Sequence, residues 1–279
     1  MVAHPGTSNH LRARVWDDDP VPDWVVDLDG VVWLGAEPVP GAAESLSGRL
    51  ALGERVVFCT NNSSERGQDK AAALVSHGLP KGVEVVTSAD AVARLVEPSW
   101  NVLCLGGPGL REALQSVGAS VVDSAEADTG SFDAVVVGLD RQLDYHRIDN
   151  AARAVRNGAR LFASNTDSTF PDTTGLRPGC GAIVAAVATA SGSSPIVAGK
   201  PEEPMADLLR ERLPRGGVVV GDRADTDGRL AERLGWPFVL VLSGVTRRSD
   251  LPVDVPTACI AEDLPAAVRT LDSWYPGSV

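Results

Sequence analysis

Lysine is nearly absent from this chain of 279 residues. Only Lys70, Lys81 and Lys200 occur, and arginine supplies the rest of the 25 basic residues. Against 37 acidic residues the formal net charge is −12. A surface of that sign argues against nucleic acid or an anionic membrane as the main partner. A small anionic ligand stays open, because a local cation or a helix N-terminus reverses the field at one site. Cysteine is scarce too. Cys59, Cys104, Cys180 and Cys259 lie far apart and form no C-x-x-C pair, which argues against zinc and a disulfide framework. Cys59, Cys104 and Cys259 sit in apolar runs and read as small core side chains. No stretch reaches 18 uninterrupted apolar residues, and the N-terminus lacks the apolar segment of a secretory signal. A cytoplasmic protein without a membrane span is expected.

What is present is ordinary globular chemistry: 44% hydrophobic residues and a mean hydropathy of +0.01. The length implies one large or two medium domains. Residues 1–23 show no period and end in Asp17-Asp18-Asp19-Pro20, so they read as a loose leader. From Trp24 onward, apolar strand runs alternate with helical patterns. Strands are expected at 24–26, 55–60, 83–87, 101–105, 120–122, 134–137, 160–163, 195–198, 217–220, 238–242 and 257–261. Helices are expected at 42–50, 65–77, 89–96, 109–117, 144–157, 181–191, 229–234 and 264–274. This rhythm predicts an α/β fold with a doubly wound parallel sheet. Gly106-Gly107-Pro108-Gly109 follows a strand, but Glu112 stands where a dinucleotide fingerprint needs its third glycine, so a plain tight turn is expected. Residues 164–180 form a long polar loop, a length that is functional or disordered in compact domains.

Polar groups recur where apolar strands end. Val25-Val26 run into Asp27-Leu28-Asp29-Gly30, which serves an Asp-Gly turn and a paired-carboxylate pocket about equally well. The strand ending at Thr60 runs into Asn61-Asn62-Ser63-Ser64. One such residue is enough to cap the next helix, and the surplus suits a phosphate. Lys200 stands between Gly199 and Pro201, either as a surface turn or as a point charge held near an anion. Gly217-Val-Val-Val-Gly221 runs into Asp222, Asp225 and Asp227, and Asp227 is also placed to cap helix 229–234. In an open parallel sheet, strand carboxyl ends line one edge, where ligands bind. There Asp27, Asp29 and Asp222 would repel one another without a hard divalent cation, and an all-oxygen ligand set suits Mg²⁺. Thr60, the Asn61 amide and Lys200 supply hydrogen bonds and positive charge for phosphoryl oxygens. With no histidine near these junctions, the nucleophile is expected to be a carboxylate.

Asp27-Leu28-Asp29-Gly30, Thr60-Asn61-Asn62, Gly199-Lys200-Pro201 and Gly221-Asp222-Arg223-Ala224-Asp225-Thr226-Asp227 together resemble the four motifs of the haloacid dehalogenase superfamily. The match is nearest to its subclass IIA, the p-nitrophenylphosphatase-like phosphatases of phosphoglycolate, glycerol phosphate and pyridoxal phosphate. The resemblance implies a core domain from residues 24–86 and 194–279 with an inserted α/β cap at 87–193. It implies Asp27 as nucleophile and Asp29 as acid and base. Thr60, Asn61, Asn62 and Lys200 would hold the phosphoryl group. Asp27, the Asp29 main-chain carbonyl and Asp222 would form the Mg²⁺ shell, with Asp227 behind it. It also implies a homodimer formed through the cap. The segment Asn165–Pro171 is similar to the subclass specificity loop. Phe170 stands where the pyridoxal phosphate enzymes place a histidine, which argues against a vitamin B6 substrate and leaves Phe170 as a specificity or a packing residue. Arg177 is a candidate for a substrate carboxylate or for a surface acid.

The expected activity is Mg²⁺-dependent hydrolysis of a small phosphorylated metabolite, of the sugar, glycerol or glycolate phosphate type, through an aspartyl-phosphate. Two alternatives stand beside it. One is phosphotransfer or phosphonate chemistry on the same scaffold, which an added alcohol acceptor would reveal. The other is a non-enzymatic phospho-accepting module. Such receiver domains are about half this length and lack an inserted domain.

Overall fold

A computed structural model describes residues 23–127, 130–172 and 175–273. The expected leader therefore lies outside the described residues except for Asp23, as does Trp274 at the expected end of the last helix. In chain order the strands are β1 (Asp23–Val26), β2 (Trp33–Leu34), β3 (Glu37–Pro38), β4 (Val56–Thr60), β5 (Glu84–Thr87), β6 (Asn101–Leu105), β7 (Ser120–Asp123), β8 (Ala134–Val137), β9 (Arg160–Ala163), β10 (Thr169–Asp172), β11 (Gly175–Pro178), β12 (Ile196–Val197), β13 (Gly217–Gly221), β14 (Phe238–Val241) and β15 (Cys259–Ala261). The α-helices are α1 (Ala42–Ala51), α2 (Gly67–Ser76), α3 (Ser88–Ala93), α4 (Pro108–Ser116), α5 (Tyr145–Arg156), α6 (Cys180–Ser191), α7 (Glu203–Arg212), α8 (Arg229–Leu234) and α9 (Leu264–Asp272).

Two parallel sheets result. The first has strand order β15-β14-β13-β1-β4-β5 and the second β12-β9-β8-β6-β7. The near-continuous valine and leucine runs of these strands fit sheets covered on both faces. Side-chain alternation sorts β1: Trp24 and Val26 pack with Phe58, Val218, Val220 and helix α9, whereas Val25 packs with Val57, Cys59, Val219 and helix α7. Full burial of one such side chain, Phe58 for example, contributes about 2–3 kcal/mol. The buried Trp24 indole donates to Glu54 Oε2 at 2.6 Å, so its polar edge is satisfied.

Several local expectations change. Ile196–Val197 pairs with β9, so the chain returns to the first sheet only after Val197. The long polar loop contains the antiparallel hairpin β10-β11. Helix α2 begins at Gly67, and the preceding Asn-Asn-Ser-Ser cluster does not cap it. Asp227 does not cap α8, because residues 224–228 form one wide helical turn and the Asp227 carboxylate is spent elsewhere. Lys70 is buried, with its ammonium 3.1 Å from Glu65.

The Gly106–Gly109 turn is needed for packing. A side chain on Gly107 would meet the main chain of Ser64 within 2.8 Å. The Gly109 amide donates to the Ser64 carbonyl at 3.2 Å. The start of α4 thus sits directly on the loop that follows β4.

Candidate active site

The register of the first sheet fixes the site. Val26 pairs with Phe58 on one side and Val220 on the other, so Asp27 leaves the sheet beside Thr60 and Asp222. The Asp27 amide donates to the Val220 carbonyl at 2.9 Å. Lys200 arrives by another route, from beyond β12 of the second sheet. Its ammonium lies 2.8 Å from Asp27 Oδ1 and 2.7 Å from Asp227 Oδ1, and it donates to the Cys59 carbonyl at 3.0 Å. All three donor hydrogens are used.

Asp27, Asp222 and Asp227 bring carboxylate oxygens within 4.8 Å of one another. The third carboxylate of this cluster is therefore Asp227, not Asp29. Asp29 turns its side chain to the Trp33 indole, which donates to Oδ1 at 3.0 Å. Burial pushes Asp27 above the ordinary carboxylate range, Lys200 opposes this, and Asp29 adds to it. Burial, then the charges of Asp27 and Asp227, push Asp222 well above its usual value. Asp227 is raised to about 6, chiefly by burial and against the pull of Lys200. Burial also works against the Lys200 charge, but Asp227 and Asp27 outweigh it and hold the ammonium well above its usual value. One buried cation thus faces three buried acids.

Asp222 Oδ2 accepts from the Val245 amide at 2.6 Å, while Oδ1 is buried with no partner among the described residues. Asp227 has both oxygens engaged, Oδ1 by Lys200 and Oδ2 by the Arg223 amide at 3.2 Å. An orphaned carboxylate oxygen next to Asp27 in an acidic cluster fits a hard divalent cation. Gly30 makes the close approach possible: it has φ +88°, and a Cβ there would lie 2.5 Å from Asp222 Oδ2.

Thr60 Oγ1 accepts from the Asn62 amide at 3.0 Å, and Asn62 Oδ1 accepts from the Ser64 amide at 3.1 Å and hydroxyl at 2.7 Å. The small polar cluster thus builds its own turns. Asn61 is spent on Lys200. Its Oδ1 accepts from the Lys200 amide at 2.8 Å, and its Nδ2 donates to the Lys200 carbonyl at 3.0 Å.

A cavity opens over these groups, with Asp27, Asp29, Thr60, Asn62, Lys200 and Phe170 in its wall. Phe170 also borders a neighbouring cleft, where Arg177 lies 3.1 Å from Asp172. Arg177 is not in the wall of the inner cavity. Asn165, Asp167 and Arg223 are in that wall too; the sequence set the first two in the segment similar to the specificity loop and the third in a motif, but gave none of them a role of its own. Asn165 and Asp167 stand in the polar loop singled out by its length, and Arg223 follows Asp222. Their chain positions were visible, but not their direction. Burial pushes Asp167 above the usual range, with Arg223 and Lys200 opposing.

The model of haloacid dehalogenase-like hydrolases matches residues 24–120, and a second model, of HAD-like hydrolases, matches 197–267. A D-glycerol 3-phosphate phosphatase of Mycobacterium tuberculosis is 39% identical over 246 residues, covering 84% of this chain and 67% of that protein. An acid sugar phosphatase of Staphylococcus saprophyticus is 34% identical over 257 residues, covering 89% and 97%. The crystal structure of a glycerol phosphate phosphatase from Mycobacterium tuberculosis in complex with magnesium superposes with a TM-score of 0.78 at 38% identity, covering 90% of this chain and 76% of that one. The chain belongs to the haloacid dehalogenase-like hydrolases. Within that family it stands among the phosphatases of subclass IIA. Among the described residues no helix is long and apolar enough to cross a membrane.

Proposed function

We propose that this chain is a Mg²⁺-dependent phosphomonoesterase that hydrolyses a small polar phosphate ester, of the sugar, glycerol or glycolate phosphate type, through an aspartyl-phosphate on Asp27. The observation that carries this reading is the pairing of Asp27 with the Lys200 ammonium at 2.8 Å beside the orphaned Asp222 oxygen, at the floor of a cavity. The acid sugar and glycerol phosphate phosphatases among the relatives support the substrate class.

In the first step an Asp27 oxygen attacks phosphorus and the bond to the leaving oxygen breaks. Asp29 gives that oxygen a proton. In the second step Asp29 takes a proton from water, which attacks phosphorus and releases Asp27 and inorganic phosphate. Lys200 neutralises charge shared by Asp27 and the phosphoryl oxygens, and Asp227 holds Lys200 in place. Asp27, Asp222 and the Asp29 main-chain carbonyl would hold the Mg²⁺, which when bound screens the phosphoryl charge and keeps Asp27 ionised. Thr60 and the main chain of Asn61 and Asn62 supply donors to the phosphate. The second sheet with its helices, residues 88–197 rather than the expected 87–193, acts as a cap that roofs the site, and Phe170 faces the leaving group.

Phosphate release from a panel of esters, with and without EDTA, tests the proposal. Loss of turnover with EDTA and with Asp27→Asn is expected. Asp27→Asn retaining most of the turnover would refute the nucleophile.

A further inference from the structure

Asp167 is a half-buried carboxylate in the cavity wall that the proposed steps do not use. It belongs to the loop between β9 and β10, whereas the residue that donates to its carboxylate, Asn61, follows β4 of the first sheet. Both its oxygens accept from Asn61 Nδ2, at 3.0 and 3.2 Å. No other side chain donates to its carboxylate among the described residues.

The loop that carries Asp167 is held from both sides. The Asp167 amide donates to Asn165 Oδ1 at 3.1 Å, and the Asp167 carbonyl accepts from the Gly181 amide at the start of α6 at 2.9 Å. Asn165 Nδ2 donates to the Asn61 carbonyl at 2.6 Å. Farther along, the Thr169 carbonyl accepts from Arg223 Nη1 at 3.1 Å. The loop is thus pinned next to Thr60 at one point and next to Asp222 at another.

The Asn61 amide can be oriented only one way. Its oxygen faces the Lys200 N–H, and its nitrogen faces both the Lys200 carbonyl and the Asp167 carboxylate. Rotating the amide would set two acceptors against its oxygen, so the carboxylate of Asp167 locks it. Asn61 in turn grips the Lys200 main chain on both its N–H and its C=O, and the Lys200 side chain ends on Asp27.

We propose that Asp167 is a positioning residue for the phosphatase reaction: by fixing the Asn61 amide it fixes the Lys200 main chain, and so keeps the ammonium seated on Asp27. The proposal rests on the reading of Asp27 and Lys200 given above. It makes the catalytic charge alignment depend on a residue of the loop that roofs the cavity.

The experiment is a set of steady-state kinetics on Asp167→Ala, Asp167→Asn, Asn61→Ala and the double variant Asn61→Ala/Asp167→Ala, each with its thermal midpoint. A shift of about 1 Å in a reacting group lowers the rate roughly 100-fold. Asp167→Ala is therefore expected to lose about that factor in kcat with KM changed less than about threefold. Asp167→Asn keeps an oxygen for the Asn61 amide and is expected to restore most of the lost turnover. The double variant is expected to lose no more than Asn61→Ala alone, because both act through one link.

Wild-type kcat in Asp167→Ala would overturn the proposal. So would an Asp167→Asn variant as slow as Asp167→Ala, or losses that multiply in the double variant. Should Asp167→Ala be too unstable to assay, Asp167→Leu, which also lacks an acceptor but fills the space, takes its place alone and with Asn61→Ala, and the same non-additivity is required. Turnover that survives Asp27→Asn or Lys200→Met defeats the underlying reading instead, which keeps the two failures apart.

Discussion

Replacing Lys200 with methionine removes the cation that balances the acidic cluster and leaves a side chain of similar length. At an effective dielectric near 20, contacts of 2.8 and 2.7 Å correspond to roughly 6 kcal/mol of gross attraction each. Most of that is offset by the desolvation of groups that are 8% or less exposed. Breaking a buried ion pair by removing one partner leaves a net destabilisation of about 3–5 kcal/mol. The sign of its pH dependence follows. With the ammonium gone, the folded-state pKa values of Asp27 and Asp227 rise further above those of the unfolded chain. Groups raised in this way stabilise the fold when protonated, and that stability is lost as pH rises through the folded values. Urea melts without divalent cation should therefore place Lys200→Met about 3–5 kcal/mol below wild type near pH 7.5. The gap should narrow as pH falls toward 5.5, and saturating Mg²⁺ should narrow it at fixed pH. A variant as stable as wild type at pH 7.5 in EDTA would refute the reasoning, and so would a gap that widens on acidification.

Other outcomes follow from the same geometry. In wild type without divalent cation, Asp227, raised from 3.8 to about 6, adds stability below 3.8 that disappears as pH rises through about 6. Unfolding at pH 5 should therefore gain on the order of 1 kcal/mol from this group relative to pH 7.5, and added Mg²⁺ should flatten the profile. Gly30→Ala should weaken metal-dependent stabilisation and lower turnover, because its Cβ would press on Asp222; an unchanged Mg²⁺-induced shift of the thermal midpoint would contradict this. The thiols of Cys59, Cys104 and Cys180 are buried and pushed up to about 12. Iodoacetamide at pH 8 should leave them unmodified in the native protein and label them in urea. Leu103→Ala, in the core of the second sheet, should destabilise by about 2–5 kcal/mol and leave KM for phosphate esters unchanged.

The strand ends were legible wherever a run of β-branched residues stopped at a polar group, because a buried parallel strand admits few charges along its length and many at its end; the order of the strands was not. That is how Asp27, Thr60 and Asp222 were found. The origin of Lys200 in the second sheet was not legible, since the short Ile196–Val197 strand looks the same whichever sheet it joins. Nor was the division of labour among the acids. Asp29 and Asp227 are equally acidic in sequence, and only the turn after each strand decides which one meets Lys200 and which one meets Trp33. The Asn-Asn-Ser-Ser cluster read as a helix cap because capping and turn formation use the same side chains. Asp167 had a position but no direction, and its partner lies 106 residues away.

The central claim is that Asp27 carries the phosphoryl group between the two steps. Acid quench of the Mg²⁺-loaded enzyme during turnover of a phosphate ester, followed by peptide mapping by mass spectrometry, tests it directly. The account predicts a phosphoryl adduct on the peptide containing Asp27 and on that aspartate. An adduct on another residue would contradict it, as would steady turnover with no phosphoenzyme at any quench time.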